Sequence, residues 1–199
     1  MADRLDTGRT GAETGPMAAV SGEQRIMTIG HGTSSAAELT DLLAGAGVDL
    51  LVDVRRFPGS RKHPDMAKDA LASWLPEAGV AYRWEEELGG RRRIPAGEPE
   101  PDSWWKVAAF RAYAAYTRTP EFAAGLRRLL QDASAARPAI MCSETVWWRC
   151  HRRLISDVLV LQHGVDVVHL MPGGKTSAHR PSEGARRTPA GLVWDGPAQ

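Results

Sequence analysis

Cysteine is scarce in this chain, 2 among 199 residues. Two cysteines make no disulfide framework, so the fold must rest on a hydrophobic core, and the thiols are expected to stay reduced in a cytoplasmic protein. Net charge is nearly absent as well, +1 in total. That excludes a global field drawing the whole chain onto nucleic acid. No apolar run approaches the roughly 18–20 residues of a membrane-spanning helix. The opening MADRLDTGRTGAETGP lacks the apolar segment of a secretory signal, so no membrane partner is expected. Lysine is rare too: 4 of the 25 basic residues, the other 21 being arginine. Part of that excess is compositional, alongside abundant alanine. The planar guanidinium nevertheless suits phosphate and carboxylate better than an ammonium does.

What is present is a core. Apolar residues make up 43% of the chain, enough for one domain. RIMTIG (25–30) reads as a strand ended by glycine. Ser35 and Glu38 have capping-box spacing, and Leu39, Leu42, Leu43 and Ala46 follow on one helical face. VDLLVDVR (48–55) is continuously apolar, as in a strand covered on both sides. A helix is expected over 65–78 with Ala67, Leu71, Trp74 and Leu75 inward, then a strand, VAYRW (80–84). ELGGRRRIPAGEPEPD is longer than a mere connector and reads as a functional loop or lid. Helices are expected over 103–118 and again from Thr119-Pro120, an N-cap followed by proline at N1. PAIMC (138–142) is a fourth strand, 149–162 a helix with Leu154, Ile155, Val158 and Leu161 inward, and VDVVHL (165–170) a fifth strand. Residues 1–24 and 174–199 read as polar tails flanking a domain over 25–173. The alternation predicts one three-layer α/β domain, a mostly parallel five-stranded sheet with helices on both faces.

Ligands of such sheets bind at the carboxyl ends of the strands. That rule gathers His31 after the first strand, Asp53 and Arg55 with Ser60 and Arg61 after the second, and Cys142 and Glu144 after the fourth. Cys150, His151 and Arg152 open the next helix. Cys142 is a candidate nucleophile or thiolate, because helix N-termini favour anions; the alternative is a small buried apolar side chain. Asp53 is either a base or the partner of Arg55 or Arg152 in a buried ion pair. Arg55, Arg61 and Arg152 together suggest an anion clamp. Cys142, Cys150 and His151 offer zinc ligands at C-x7-C-H spacing, wider than paired sites usually show, and no cofactor is required by the sequence. The Arg91-Arg92-Arg93 triplet is a solvated run or a contact to a nucleic-acid backbone, and Trp104, Trp105, Trp147 and Trp148 pack a core or stack on bases.

TIGHGT, LVDVRRFPGSR, YRWEEELGG, AAYTRTPEF and IMCSETVWWRCHRRLISDVL occur in that order. Together, over roughly residues 25–172, they resemble the family catalogued as domain of unknown function 488. Where the family has T-I-G-H-S, this chain has Gly32. The resemblance implies functional positions at His31, Asp53, Arg55, Pro58, Ser60, Arg61, Gly89, Gly90, Cys142, Glu144, Cys150, His151 and Arg152. It implies a fold and a site but no reaction. The strand LLVDVRRFP and the later cysteine strand, helix and Gly-Gly also look like parts of rhodanese-like domains, which carry sulfur or phosphate at a cysteine cradled by backbone N–H groups. The leading expectation is an enzyme in which Cys142 or Glu144 reacts, His151 moves protons, Asp53 assists, and His31, Arg55, Ser60, Arg61, Arg152, Gly89 and Gly90 hold a small anionic substrate or a nucleic-acid base. The alternatives are a nucleic-acid-binding or adaptor module and rhodanese-like cysteine chemistry. Oligomeric state is left open.

Overall fold

The computed structural model describes residues 24–59 and 62–196. The expected N-terminal tail up to residue 23, and Ser60 and Arg61, lie outside the described residues. The centre is a six-stranded sheet of β1 (Arg25–Gly30), β2 (Leu50–Asp53), β3 (Ala81–Trp84), β4 (Pro138–Cys142), β5 (Asp166–Leu170) and β6 (Thr176–Ala178). Their spatial order is β3-β2-β4-β1-β5-β6. The first five are parallel, and β6 joins the β5 edge antiparallel.

Side chains alternate across the sheet because the strand period is two. On β4, Ala139 and Met141 enter a layer with Leu39 and Leu43 of α1 (Ala36–Gly45) and Leu71 and Leu75 of α2 (Lys68–Glu77). Ile140 and Cys142 enter the opposite layer. There they meet Tyr113 of α3 (Ala108–Tyr116), Phe122 and Leu126 of α4 (Pro120–Ala135), and Leu154, Ile155 and Val158 of α5 (Arg152–His163). A strand covered on both faces must be apolar at every position, and β4 is buried throughout. The start signals hold. Ser35 accepts from the Glu38 N–H while the Glu38 carboxylate accepts from the Ser35 N–H at 2.8 Å, a reciprocal cap. Thr119 caps α4, with Pro120 in its first turn.

Three expectations change. Residues 103–107 are not helical: α3 begins at Ala108, and Trp105 turns into the core beside Trp104, Phe110 and Trp194. The helix expected from 149 begins at Arg152, because Cys150 is extended (φ −137°, ψ 156°). The third change concerns residues 174–196, which are not a tail. They form β6 and a hairpin, β7 (Ala185–Thr188) with β8 (Gly191–Trp194), and Leu192 and Trp194 are buried in the main core. The segment is docked by polar groups that carry no periodic apolar signal. Asp157 on α5 accepts from Trp194 Nε1 at 2.8 Å and from the Ser182 N–H at 2.9 Å, and pairs with His179 Nε2 at 2.8 Å. His179 Nδ1 meets His169 Nε2 at 2.9 Å, and His169 Nδ1 meets the Thr28 hydroxyl at 2.7 Å. This chain is closed: each ring nitrogen and both Asp157 oxygens have partners.

The register places the site. Gly30 pairs with Cys142, and Asp53 with Met141, so β1, β4 and β2 end level with one another. The ladder runs on past the strands through the N–H groups of His31, Gly32 and Val54, which donate to the carbonyls of Cys142, Ser143 and Met141.

A candidate thiol site at the carboxyl rim of the sheet

The loop from Cys142 to Cys150 leaves β4, makes a short 3-10 turn at Trp147–Arg149, and returns to the start of α5. Trp147 anchors it by stacking on the His169 ring, 3.9 Å away and 8° from parallel. From below, Arg152 donates to the carbonyls of Glu144 and Thr145. Gly30 makes room for that guanidinium: a Cβ there would lie 2.7 Å from Arg152 Nη2. With both ends of the loop fixed, the two sulfurs come within 2.7 Å of each other. Both cysteines are almost fully buried.

His151 completes the group. Its Nε2 lies 2.9 Å from the Val54 carbonyl, which can only accept, so Nε2 carries hydrogen and Nδ1 faces Cys150 Sγ at 3.6 Å. Adjacent residues within a helix diverge by about 100°. Here Cys150 is extended, and the two side chains meet. Gly90 permits the arrangement, since a Cβ there would stand 2.9 Å from His151 Nδ1. Gly89 likewise packs against the backbone of Arg56 and Glu86. Both act as close-approach positions, and only Gly90 lines the cavity. Tyr113, which the sequence reading missed, supports the imidazole at a ring separation of 5.1 Å and donates to the Leu88 carbonyl at 2.6 Å.

The thiols differ in acidity. Burial, then the hydrogen bond to Cys150, pushes Cys142 well up. Burial opposes ionisation of Cys150 too, but the Cys142 thiol donating to it, followed by His151 and Arg152, brings it well below the ordinary thiol value. Within the pair, negative charge is therefore favoured on Cys150, the sulfur that also faces His151 Nδ1 and the Arg152 N–H.

Asp53 and Arg55 form a buried bidentate pair at 2.8 and 2.5 Å. Tyr82 donates to the same carboxylate at 2.9 Å. Asp53 is thus the orienting partner of Arg55, not a free base. Arg55 Nη1 approaches His31 Nε2 at 3.3 Å, while His31 Nδ1 lies 3.1 Å from the Gly32 carbonyl. Burial, then the Arg55 charge, lowers His31 to about 4, so its ring is neutral and accepts from Arg55. His31 supports the rim from beneath and does not line the cavity. At Gly32 (φ +51°), a Cβ would fall 2.1 Å from Thr145 Oγ1, so the Cys142–Cys150 loop occupies the space a side chain would need.

A cavity of ≈ 340 Å³ opens over the thiols. Cys142, Cys150, His151 and Tyr113 line its depth, and Arg55, Arg56, Arg91 and Arg149 stand around it with Phe57 and Phe110. Glu144, exposed, is the one carboxylate among its lining residues. Of the expected Arg55–Arg61–Arg152 clamp, Arg55 reaches the cavity, Arg152 is committed to the loop beneath, and Arg61 lies outside the described residues. Arg56, Arg91 and Arg149 take the outer positions instead. Among the described residues no group of three or more His, Cys, Asp and Glu side chains is placed to hold a metal ion.

The fold and site define a class: an α/β protein with a paired-thiol pocket at the carboxyl edge of a parallel sheet. Residues 35–159 match the family described as Domain of unknown function DUF488, and the chain belongs to that family. No curated protein and no solved structure matches the chain. Among the described residues no helix is long and apolar enough to cross a membrane.

Proposed function

We propose that this protein is an enzyme that uses Cys150 as a thiolate nucleophile on a small anionic substrate. The observation that carries the reading is the contact series Cys142–Cys150–His151–Val54 carbonyl at the base of an arginine-lined cavity. A nucleophile within reach of a base, with the base oriented by a third group, is the arrangement covalent catalysis needs. His151 Nδ1 holds or returns the proton at Cys150 Sγ. Cys142 donates to the thiolate. Arg149, Arg91 and Arg56 hold the anionic group, and Asp53 fixes Arg55 at the cavity wall. Glu144, expected on sequence grounds to take part in the reaction, borders the cavity on its open side. The reacting sulfur thereby moves from Cys142, favoured on sequence grounds, to Cys150.

A cradle of rhodanese type would turn N–H groups toward the sulfur, yet here the carbonyl of Glu144 faces Cys142 at 3.8 Å. The Arg152 N–H, by contrast, points at Cys150 Sγ at 3.4 Å, which supports the assignment to Cys150. A nucleic-acid reading has its own support. A neighbouring hollow, lined by Arg56, Phe57, Arg91, Arg92, Arg93 and Tyr116, shares three residues with the thiol cavity, and Phe57 is 63% exposed. Arg92, however, is stacked on Tyr116 and donates to the Gly89 and Glu86 carbonyls, which favours the small substrate.

The test is alkylation of Cys150 by iodoacetamide with and without inorganic phosphate or citrate. Protection by the anions that weakens with added salt, and disappears in Arg91→Met/Arg149→Met, is the expected result. Alkylation at Cys142 with Cys150 untouched would overturn the assignment. Short single-stranded DNA protecting better than citrate would favour nucleic acid.

A further inference from the structure

Nothing in single-nucleophile chemistry requires a second sulfur within 2.7 Å of the first. The pair is also not a packing accident. Cys142 ends β4 in register with Gly30, Cys150 begins the return to α5, and the loop between them is held by Arg152 below and Trp147 at its side. The two sulfurs are in direct contact, and both cysteines line the cavity. They close a short loop, with seven residues between them, beside a base and an arginine-lined rim. That is where a disulfide formed during a reaction, not for stability, belongs.

From this geometry we infer that Cys142 and Cys150 form a two-electron dithiol–disulfide couple that reduces small anionic disulfides, with Cys150 attacking and Cys142 resolving. The inference rests on the Cys150 nucleophile proposed above. In the first step the Cys150 thiolate attacks one sulfur of R–S–S–R. The substrate S–S bond breaks, RS⁻ leaves and takes the proton held at His151, and Cys150 carries S–R. In the second step the Cys142 sulfur attacks Cys150 Sγ. The Cys150–SR bond breaks, the second RS⁻ leaves with the Cys142 proton, and the Cys142–Cys150 bond forms. The substrate disulfide is reduced to two thiols and the protein dithiol is oxidised, so two electrons pass between them. The acidity order fits the direction: the more acidic thiol attacks and the less acidic, protonated one waits. The substrate class follows from the rim. Arg91 and Arg149, both exposed at the mouth, suit carboxylates on R.

The experiment uses the full chain, pre-reduced, with dithiodipropionate as a dianionic disulfide and bis(hydroxyethyl) disulfide as a neutral one, read by intact mass and peptide mapping. The wild type is expected to lose a pair of hydrogens and release both thiols of the reagent, and dithiothreitol should restore the original mass. Cys142→Ser should stop at a mixed disulfide on Cys150, and Cys150→Ser should gain nothing at Cys142. The dianion should react about tenfold faster than the neutral reagent at low salt, a preference that Arg91→Met/Arg149→Met should remove. A wild-type chain that halts as a lasting mixed disulfide on Cys150 would overturn the resolving role and leave the nucleophile standing. No loss of hydrogens in the wild type together with no adduct in Cys142→Ser would overturn both. A mixed disulfide on Cys142 would reverse the assignment and overturn the couple as drawn.

Discussion

Two strings of hydrogen-bonded polar side chains cross the interior, one closed and one open. The closed string runs Thr28–His169–His179–Asp157–Trp194 and joins β1, β5, α5 and the C-terminal hairpin. The open one runs from the Val54 carbonyl through His151 and Cys150 to Cys142, and its sulfurs look into a cavity. Both are buried, and both contain histidine. Burial and polarity alone therefore do not mark a functional site. What separates the two strings is where each ends. A string whose donors and acceptors are all matched inside the protein specifies a fold. A string that leaves a pair of thiols facing a cavity has reactive groups not used up inside the fold.

The comparison breaks most visibly at Asp157. Asp157→Ala leaves Trp194 Nε1, the Ser182 N–H and His179 without their acceptor. The expected loss is about 3–5 kcal/mol, read as a lower urea midpoint, while Cys150 in the surviving folded fraction keeps its reactivity. Deletion of residues 175–199 should act in the same direction and abolish cooperative unfolding. Next in size is Asp53→Asn, which leaves the buried Arg55 guanidinium with one anionic partner fewer. About 3 kcal/mol is expected from breaking such a pair, together with weaker citrate protection because Arg55 is no longer held at the cavity wall.

The buried histidines set an acid dependence. His31 falls from 6.5 to about 4 through burial and then Arg55, and His169 to about 3 through burial and then His179. Unfolded histidines titrate near the ordinary value, so the unfolded chain binds protons that the folded one refuses below pH 6.5. Stability is thus complete above that pH and declines as pH falls toward 4, with each histidine adding at most about 1.4 kcal/mol per pH unit. Urea midpoints across that range should show the decline, and His31→Gln should flatten part of it. The smallest stability effect belongs to the open string. Cys150→Ser should shift stability by about 1 kcal/mol or less and abolish reaction with disulfides.

The central sheet was legible in the sequence because its strands are continuous apolar runs, and β4 has no polar position to mislead. Rim membership followed from one rule of parallel sheets, and His31, Asp53 and Cys142 do end level. The hairpin was not legible. Its docking depends on Asp157, His179, Ser182 and one tryptophan, a pattern with no period. Nor was the ordering of the two sulfurs. Helical spacing sends Cys150 and His151 apart, and only the extended backbone at Cys150 brings them together. Arg56, Arg91 and Arg149 were visible as arginines, but nothing in their spacing tells which of 21 arginines gather at one cavity. Gly89 and Gly90 entered through the family resemblance alone, and the structure supplies the reason: Gly90 comes too close to His151 to carry a side chain.

The central claim is that Cys150 is ionised because Cys142, His151 and Arg152 hold its charge. The direct measurement is the rate of iodoacetamide modification of Cys150 against pH, resolved by peptide mass, in the wild type and in His151→Gln. The expected wild-type curve reaches half its plateau well below the free-thiol value of about 8.5, and the variant's midpoint moves up toward that value with folding unchanged. A wild-type midpoint at or above the free-thiol value, the same with and without His151, would contradict it.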